Sequence, residues 1–328
     1  MPAQIRDFLK SLLQVGLLTV AIILLVFFGI RPDPQHYFFG SLAQAELIKN
    51  TPGPRIIVFG GSNVALGVDA QLIQESLGVA AINDGLHGGL GVVPMRELME
   101  YMRPGDVIIV SLEYSTFAEK GSLRGDPAFL SDWIEFEPRR ISHLFDPWAE
   151  APGIYLTMLQ RKANRQLNIL LHTGSREEMR AFFEGQSFDA NGDFIGHLGK
   201  EPTSKITNMR YPVAAFDEEA FAFLAEFQRF ARGMGAQVYF EAPASRQTNC
   251  ILTGMEQMKS FFEIFAQKTG IPVLTPLDDV CLPDQYFFDT PYHLNEQGRK
   301  IRTKRLIENL IGLNIIPHKA SFTGDERR

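Results

Sequence analysis

A serine that follows two glycines is the first feature of this sequence that could carry out chemistry. Ser62 comes directly after the apolar run 55–59 and the pair Gly60-Gly61. Glycines let the backbone turn sharply, which leaves the hydroxyl exposed, and backbone N–H groups at the start of a helix can bind an oxyanion. The pattern therefore indicates a nucleophile, although a simple helix-capping turn or an anion cradle would use the same residues.

An aspartate and a histidine stand close together near the other end of the chain. Asp289 and His293 belong to residues 287–295, a loop just before a predicted helix. A histidine can act as a general base, and a carboxylate beside it can fix its tautomer. Because a serine is a weak nucleophile until a base accepts its proton, this pair could activate Ser62. The alternative is a surface aspartate and a loop histidine with structural contacts, with Asn295 capping the helix.

The segments that must position these residues alternate between strand and helix. This rhythm predicts a mostly parallel sheet with helices on both faces, and its unbroken apolar runs are typical of strands buried on both sides. In such folds the site lies outside the carboxyl ends of the strands, where the candidate residues stand. The predicted strands are 55–59, 79–83, 107–112, 237–241 and one that begins at 271–274, and the predicted helices are 69–77, 94–102, 216–233, 253–269 and 295–311.

The N-terminus contains a segment long enough to cross a membrane. Residues 11–30 carry no charge, and at about 1.5 Å per residue a helix of this length spans roughly 30 Å. The run is longer than the core of a signal peptide and has no small-residue cleavage site directly after it, so an anchor is favoured over a cleaved signal or a buried core helix. Arg6 and Lys10 before the run, against Arg31 after it, slightly favour a domain outside the cytoplasm.

The composition limits the classes of partner and site. Lys and Arg total 32 against 38 Asp and Glu, a net charge of -6, so a general basic field for nucleic acid is not expected. Two cysteines exclude a disulfide framework and a cysteine-based zinc cluster, and the histidines show no metal-ligand spacing. We expect no metal and no cofactor. In an oxidising compartment Cys250 and Cys281 could pair, which the sequence leaves open.

The chain is expected to form one domain with an insertion, behind the anchor. Residues 115–212 break the α/β rhythm and are rich in aromatic and charged side chains, which indicates a cap over the sheet. The predicted organisation is a cytoplasmic stub at 1–10, the transmembrane anchor at 11–30, a proline-punctuated linker at 31–54, the domain at 55–312 and a polar tail at 313–328.

These motifs resemble the SGNH (GDSL-like) hydrolase superfamily over roughly residues 55–115 and 215–312. Residues 59–67 resemble its first block, which carries the nucleophile, and residues 85–89 resemble the second, whose glycine supplies an oxyanion N–H. Asp289 and His293 resemble the last block. The resemblance implies a three-layer α/β/α sandwich with a mostly parallel, flavodoxin-like sheet and a Ser62–His293–Asp289 triad. It also implies an oxyanion hole made by the N–H groups of Ser62 and Gly88, with Gly85 as the second choice for the glycine.

Two departures from the family pattern affect these assignments. The usual third block has an asparagine after the third strand, but here Leu112 is followed by Glu113. The hole would then use the N–H groups alone, or another side chain; one lost donor typically costs about 2.7–4 kcal/mol, which predicts low activity on simple esters. The last block reads D-x-x-x-H instead of D-x-x-H, so Asp284 stays a distant alternative to Asp289.

Other residues near the motifs are weaker candidates. Asn63, His87 and Glu113 are candidate substrate contacts. For His87 a turn residue with local hydrogen bonds is favoured, whereas Glu113, at a strand end, could contact the Ser62 loop or substrate, with a structural polar contact as an equal alternative. Trp133 and Trp148 could stack on sugar rings, but packing of the insertion is favoured. Tyr292 is expected to pack in the core.

The anchor and the domain together are similar to envelope proteins that help O-acylate polysaccharides. Examples are the alginate O-acetylation proteins and the D-alanyl transfer protein of lipoteichoic acid, which work beside a multi-pass membrane O-acyltransferase. The resemblance implies a serine esterase or O-acyltransferase in the inner membrane, facing the periplasm, that acts on an envelope glycan or acyl donor. The rival is a non-catalytic glycan-binding module; a phosphate-binding domain is disfavoured because residues 63–66 include no basic side chain.

Overall fold

Four apolar segments form a parallel sheet, and the expected α/β class is confirmed. The computed structural model describes residues 3–170, 187–202, 206–214 and 216–315. The strands of this sheet are β1 (Arg55–Gly60), β2 (Ala80–Gly85), β3 (Val107–Ser111) and β4 (Gln237–Phe240), in the order β2-β1-β3-β4. Gly60, at the end of β1, pairs with Gly85 on one side and Ser111 on the other. The residues that follow these three strands therefore meet at one edge of the sheet.

Helices surround this sheet and connect its strands. In chain order they are α1 (Ala3–Gly29), α2 (Gly40–Asn50), α3 (Ser62–Ala65), α4 (Ala70–Leu77), α5 (Val93–Tyr101), α6 (Ser115–Ala118), α7 (Pro127–Phe136), α8 (Pro147–Leu170), α9 (Glu218–Gly233), α10 (Gln247–Thr253), α11 (Met255–Thr269) and α12 (Glu296–Gly312). Successive side chains of β1 alternate between two hydrophobic clusters, with Ile57 and Phe59 in one and Ile56 and Val58 in the other. The first cluster includes side chains of α5, α9 and α11, and the second includes side chains of α4 and α12. Both faces of the sheet are thus buried, which explains why its strands lack polar alternation.

The N-terminal helix α1 is long and apolar enough to cross a membrane. Its span Gln4–Val26 has 23 residues and a mean hydropathy of 2.3, and 0% of it is buried against the rest of the chain. A core helix of the same composition would be covered by other elements. The chain that leaves α1 is held by the domain, because Lys162 Nζ in α8 donates to the Ile30 carbonyl at 3.0 Å.

The segment predicted as a linker contains a helix that packs on the domain. In α2, Gln44 is buried and its Nε2 donates to the carbonyls of Asn83 and Gly85, at 3.1 and 2.8 Å. Just before α2, the Tyr37 hydroxyl donates to the Leu86 carbonyl at 2.7 Å. Prolines stand at both ends of the segment, but its middle forms a helix whose Ile48 side chain is buried in the core.

The predicted insertion contributes α6, α7 and α8, and residues 187–202 return to the sheet. Residues 171–186 and 203–205 of the insertion, and 316–328 of the tail, lie outside the described residues. Trp133 packs in the core, whereas Trp148 is 94% exposed, so packing explains only the first of these tryptophans. Asp193 accepts hydrogen bonds from Asn83 Nδ2 at 2.8 Å and from the Ala70 N–H, and it pairs with Arg299 at 3.0 Å. These buried contacts join the insertion to β2, α4 and α12.

The strand expected to begin at 271–274 does not extend the sheet as a regular strand. It forms an isolated parallel bridge between Val273 and Phe240, in which the Phe240 N–H donates to the Pro272 carbonyl at 2.8 Å. Proline has no N–H with which to continue the ladder, so pairing stops after a single bridge. Nearby, Cys250 and Cys281 form a disulfide that joins α10 to the short strand Cys281–Leu282.

Candidate active site

Ser62 stands where β1 ends, at a turn that only small residues permit. An added Cβ on Gly60 would lie 2.3 Å from the Ser111 carbonyl oxygen, and one on Gly61 would lie 2.8 Å from the Gly88 nitrogen. Neither glycine has a positive φ, so the backbone conformation alone would allow another residue. The close approach of neighbouring backbone atoms is what excludes a side chain. The turn that carries Ser62 is therefore pressed directly against the turn that carries Gly88.

Asp289 and His293 form a hydrogen-bonded pair in the loop before α12. His293 Nδ1 lies 2.7 Å from Asp289 Oδ1. The loop is closed by the Phe288 N–H, which donates to the His293 carbonyl at 2.8 Å, and Asn295 caps α12 by accepting from the Gly298 N–H at 3.0 Å. With Nδ1–H donating to the carboxylate, Nε2 is left as the acceptor, which is the tautomer that a general base needs.

Asp284 does not compete for His293. Its carboxylate accepts from Arg246 Nη2 at 2.5 Å and from the Thr248 hydroxyl at 2.6 Å. These bonds attach Asp284 to the start of α10. The aspartate that contacts His293 is therefore Asp289, with the D-x-x-x-H spacing.

Glu113 is the hydrogen-bond partner of the serine in this structure. The Ser62 hydroxyl donates to Glu113 Oε1 at 3.3 Å, and among the described contacts it does not donate to His293. Burial raises the pKa of Glu113, while His293, the Ser62 hydroxyl and the Asn63 N–H each lower it by a smaller amount. Two hydrogen-bonded pairs, Ser62 with Glu113 and His293 with Asp289, thus follow the carboxyl end of the sheet and the loop before α12. His293 is near enough to Glu113 to act on its pKa.

The backbone donors near Ser62 favour Gly88 over Gly85. The Gly85 N–H is already used, because it donates to Asn83 Oδ1 at 2.9 Å. The N–H groups of Ser62 and Gly88 have no acceptor among the described residues, and the Gly88 nitrogen faces the Gly61 turn. These two N–H groups are available to an oxygen that enters beside Ser62.

His87 is a neutral histidine at the edge of the site. Its ring stacks on Phe129 with centroids 4.0 Å apart, and its Nδ1 accepts from the Gly89 N–H at 3.0 Å. Burial, with a contribution from the nearby His293, lowers the pKa of His87 to about 4. The proton is thus on Nε2, and the residue is both a turn cap and a fixed donor beside the site.

Asn63 is structural, contrary to the expectation of a substrate contact. Its side chain is fully buried, and Nδ2 donates to the carbonyl and hydroxyl of Ser111, both at 3.2 Å. Its carbonyl accepts from Arg302 Nη1 at 2.6 Å. The residue after the nucleophile therefore ties the turn to β3 and α12.

A buried ion pair beneath the nucleophile was missed by sequence reasoning. Arg302 Nη2 lies 2.6 Å from Glu241 Oε2 and also donates to the Ser111 hydroxyl at 2.9 Å. Both charged side chains are nearly inaccessible. The sequence indicated only that two charged residues lie in predicted elements: Glu241 at the end of a strand and Arg302 inside an amphipathic helix.

His197 is a second residue that the sequence did not indicate. It is 2% exposed, stacks on Phe194 with centroids 5.8 Å apart, and meets the ring of Phe288 edge-on. Burial lowers the pKa of His197 to about 4, with Arg299 and His293 acting in the same direction. The insertion therefore supplies a neutral histidine beneath the loop that carries Asp289.

Within the described residues, no three His, Cys, Asp or Glu side chains are grouped so as to hold a metal ion. What the site does contain is a hydroxyl, a histidine–aspartate pair, a buried carboxyl and two available N–H groups. This set can activate a hydroxyl and stabilise an oxyanion. A scan against models of known protein families and a search of curated proteins both find no match for this chain.

Proposed function

We propose that the protein is a membrane-anchored serine esterase or O-acyltransferase that acts on an envelope glycan. Ser62 is the nucleophile, His293 the base and then the acid, and Asp289 orients His293. The observation that carries the proposal is the 2.7 Å hydrogen bond between Asp289 and His293 Nδ1, in a site whose buried carboxyl bonds Ser62. The hydrogen bond leaves Nε2 free to accept a proton.

The reaction begins when the Ser62 hydroxyl turns from Glu113 to His293. Its oxygen attacks the ester carbonyl, the proton passes to His293 Nε2, and Asp289 stabilises the imidazolium. The N–H groups of Ser62 and Gly88 hold the oxyanion. When the intermediate collapses, the imidazolium gives its proton to the leaving alcohol and an acyl-enzyme remains. A sugar hydroxyl or a water then takes the acyl group by the same steps in reverse.

The surroundings of the site support an extracytoplasmic location. A helix able to span a membrane precedes the domain, and Cys250 and Cys281 are disulfide-bonded, which is typical of oxidising compartments. The sheet, buried on both faces, agrees with a three-layer sandwich of the SGNH type. We place the domain on the periplasmic side of the inner membrane, beside a multi-pass membrane O-acyltransferase as partner.

The test is p-nitrophenyl acetate turnover by the full chain in detergent, with intact mass to detect an acyl-enzyme. Ser62→Ala is compared with Ser142→Ala, which removes an exposed hydroxyl bonded to the Arg139 carbonyl. We expect turnover or an acetyl adduct in the wild type and in Ser142→Ala, and neither in Ser62→Ala. Turnover that survives Ser62→Ala would contradict the assignment of the nucleophile.

A glycan-binding module is the second candidate, and one observation favours it. The Ser62 hydroxyl bonds Glu113 instead of His293, and the third-block asparagine is replaced by that glutamate. Trp148, 94% exposed, offers an aromatic face for a sugar ring. Binding of acetylated glycan fragments that is weakened by Trp148→Ala, without any Ser62-dependent turnover, would support this function over the enzyme.

A further inference from the structure

Glu113 and Ser62 follow the ends of two neighbouring parallel strands. Gly60 of β1 pairs with Ser111 of β3. Ser62 and Glu113 each stand two residues beyond this pair, at the same edge of the sheet. The chain therefore leaves the two neighbouring strands at the same level, and Ser62 Oγ lies 3.3 Å from Glu113 Oε1.

The carboxyl group fills the space between the two glycine turns. An ideal Cβ on Gly61 would lie 3.1 Å from Glu113 Oε1, and one on Gly88 would lie 2.7 Å from Glu113 Oε2. The carboxyl thus lies against the backbone whose N–H groups are available to an oxyanion. A carbonyl carbon bonded to Ser62 Oγ would bring its own oxygen next to this carboxyl.

The second feature of Glu113 is the set of groups around its carboxyl. No Lys or Arg of the described residues forms an ion pair with it. Its neighbours are His293, the hydroxyl of Ser62 and the Asn63 N–H, and it also acts on the phenols of Tyr37 and Tyr292. Burial raises the pKa of Glu113 against these weaker effects, which shifts its equilibrium towards the neutral acid. A neutral carboxylic acid can donate a hydrogen bond, whereas a carboxylate can only accept one.

We propose that Glu113 is a catalytic residue that donates, as a neutral carboxylic acid, the third hydrogen bond to the oxyanion. The inference rests on the proposed function and adds a donor to the N–H groups of Ser62 and Gly88. It assigns to a glutamate the position left by the missing asparagine after β3.

The step balances without any further reactant. The ester carbonyl accepts a hydrogen bond from the acid proton of Glu113, and the Ser62 hydroxyl turns from Glu113 Oε1 to donate to His293 Nε2. A lone pair of Oγ forms the new bond to carbon, the carbonyl π pair moves to oxygen, and the Oγ proton goes to His293. The acid proton of Glu113 stays on Glu113 and bonds the oxyanion. When the intermediate collapses, the pair returns to the carbonyl, and the leaving alcohol takes the proton from His293.

The experiment compares Glu113→Gln and Glu113→Ala with the exposed control Glu119→Gln, in the full chain with p-nitrophenyl acetate. The amide of a glutamine can donate a hydrogen bond both below and above the pKa of Glu113. We therefore expect Glu113→Gln to keep kcat within a few-fold of the wild type. Glu113→Ala should lower kcat by about 10²–10³-fold, the typical effect of losing one oxyanion donor. Wild-type activity should fall as pH rises through the raised pKa of Glu113, and this alkaline fall should be missing in Glu113→Gln.

Two results would overturn the donor role. Glu113→Gln as inactive as Glu113→Ala would mean that a carboxylate is required, and Glu113→Gln faster than the wild type at its optimal pH would mean that the carboxyl blocks the hole. A readout independent of turnover is the infrared difference spectrum between wild type and Glu113→Gln at that pH. It should show a protonated carboxyl C=O band, and carboxylate bands alone would contradict the donor role.

Failure of the proposed function gives a different pattern. Turnover that survives Ser62→Ala, or no turnover and no acyl adduct in the wild type, removes the nucleophile and with it any catalytic role for Glu113. Serine-dependent turnover together with carboxylate bands for Glu113 leaves the esterase standing and removes only the proposed donor.

Discussion

His293 Nδ1 lies 2.7 Å from Asp289 Oδ1, four residues earlier in the same loop. The pair is therefore assembled locally, and its position relative to the sheet depends on the cap of α12 and on the bridge between Phe287 and Leu294. The loop therefore forms the histidine–aspartate pair by itself, whereas the position of His293 relative to Ser62 depends on the tertiary fold.

Asp289→Asn should lower kcat by about 10⁴-fold, because the amide can hold His293 in the wrong tautomer without moving it. The measurement is steady-state hydrolysis of p-nitrophenyl acetate by the full chain. The matched control is Asp284→Asn, which weakens the bonds to Arg246 and Thr248. It should lower the thermal midpoint and leave kcat close to the wild-type value. A larger loss of kcat in Asp284→Asn than in Asp289→Asn would reverse the assignment.

Gly61→Ala should reduce kcat strongly while the fold is retained. The new Cβ would meet the Gly88 nitrogen at 2.8 Å, so the nucleophile turn must shift, and a displacement of about 1 Å can cost on the order of 10²-fold in rate. Gly153→Ala in α8 is the control, since nothing lies within 4 Å of its added Cβ and a helical alanine is favourable. Circular dichroism checks the fold, and equal kcat in both variants would argue against a close-packed nucleophile turn.

Arg302→Met should lower the free energy of unfolding by about 3–5 kcal/mol, because it leaves Glu241 buried without its partner. Denaturant titration measures the loss, and Lys300→Ala on the exposed side of α12 should change it by less than about 1 kcal/mol.

Adding Glu241→Met to Arg302→Met tests what the ion pair does for Ser62. The double variant should recover much of the stability, since apolar side chains often replace a buried pair without loss. The kcat of the single and the double variant should both be below that of the wild type, because both lack the bonds from Arg302 to the Asn63 carbonyl and the Ser111 hydroxyl. Recovery of both stability and kcat would show that the pair does not position the nucleophile.

His197 should make the protein less stable as the pH falls from about 6.5 to about 4. Its pKa is lowered to about 4 in the folded chain, against about 6.5 when unfolded, so the unfolded state binds more protons in this window. His197→Phe keeps an aromatic ring beside Phe194 and removes this proton uptake. Thermal midpoints of the two proteins should be similar at pH 7.5 and diverge in favour of the variant at pH 5; parallel curves would contradict a buried neutral His197.

The sequence by itself determined the features that depend on neighbouring residues. Apolar runs of strand length between helical segments predicted the parallel sheet, and strand ends marked Ser62 and Glu113. The spacing of Asp289 and His293 predicted a local pair, and the uncharged run at the N-terminus predicted a helix able to span a membrane. Each of these patterns is short-range, because periodicity and loop geometry are set within a few residues.

The tertiary structure decided which distant residues meet. Glu113 bonds Ser62 across 51 positions, and Arg302 bonds the Asn63 carbonyl across 239. Residues 40–50 of the expected linker form a helix that packs on the domain. The Asn63 side chain is likewise buried in the interior. Such contacts depend on strand order and on the packing of both sheet faces, which no local pattern encodes; for that reason the hydrogen bond between Ser62 and Glu113 could be established only from the fold.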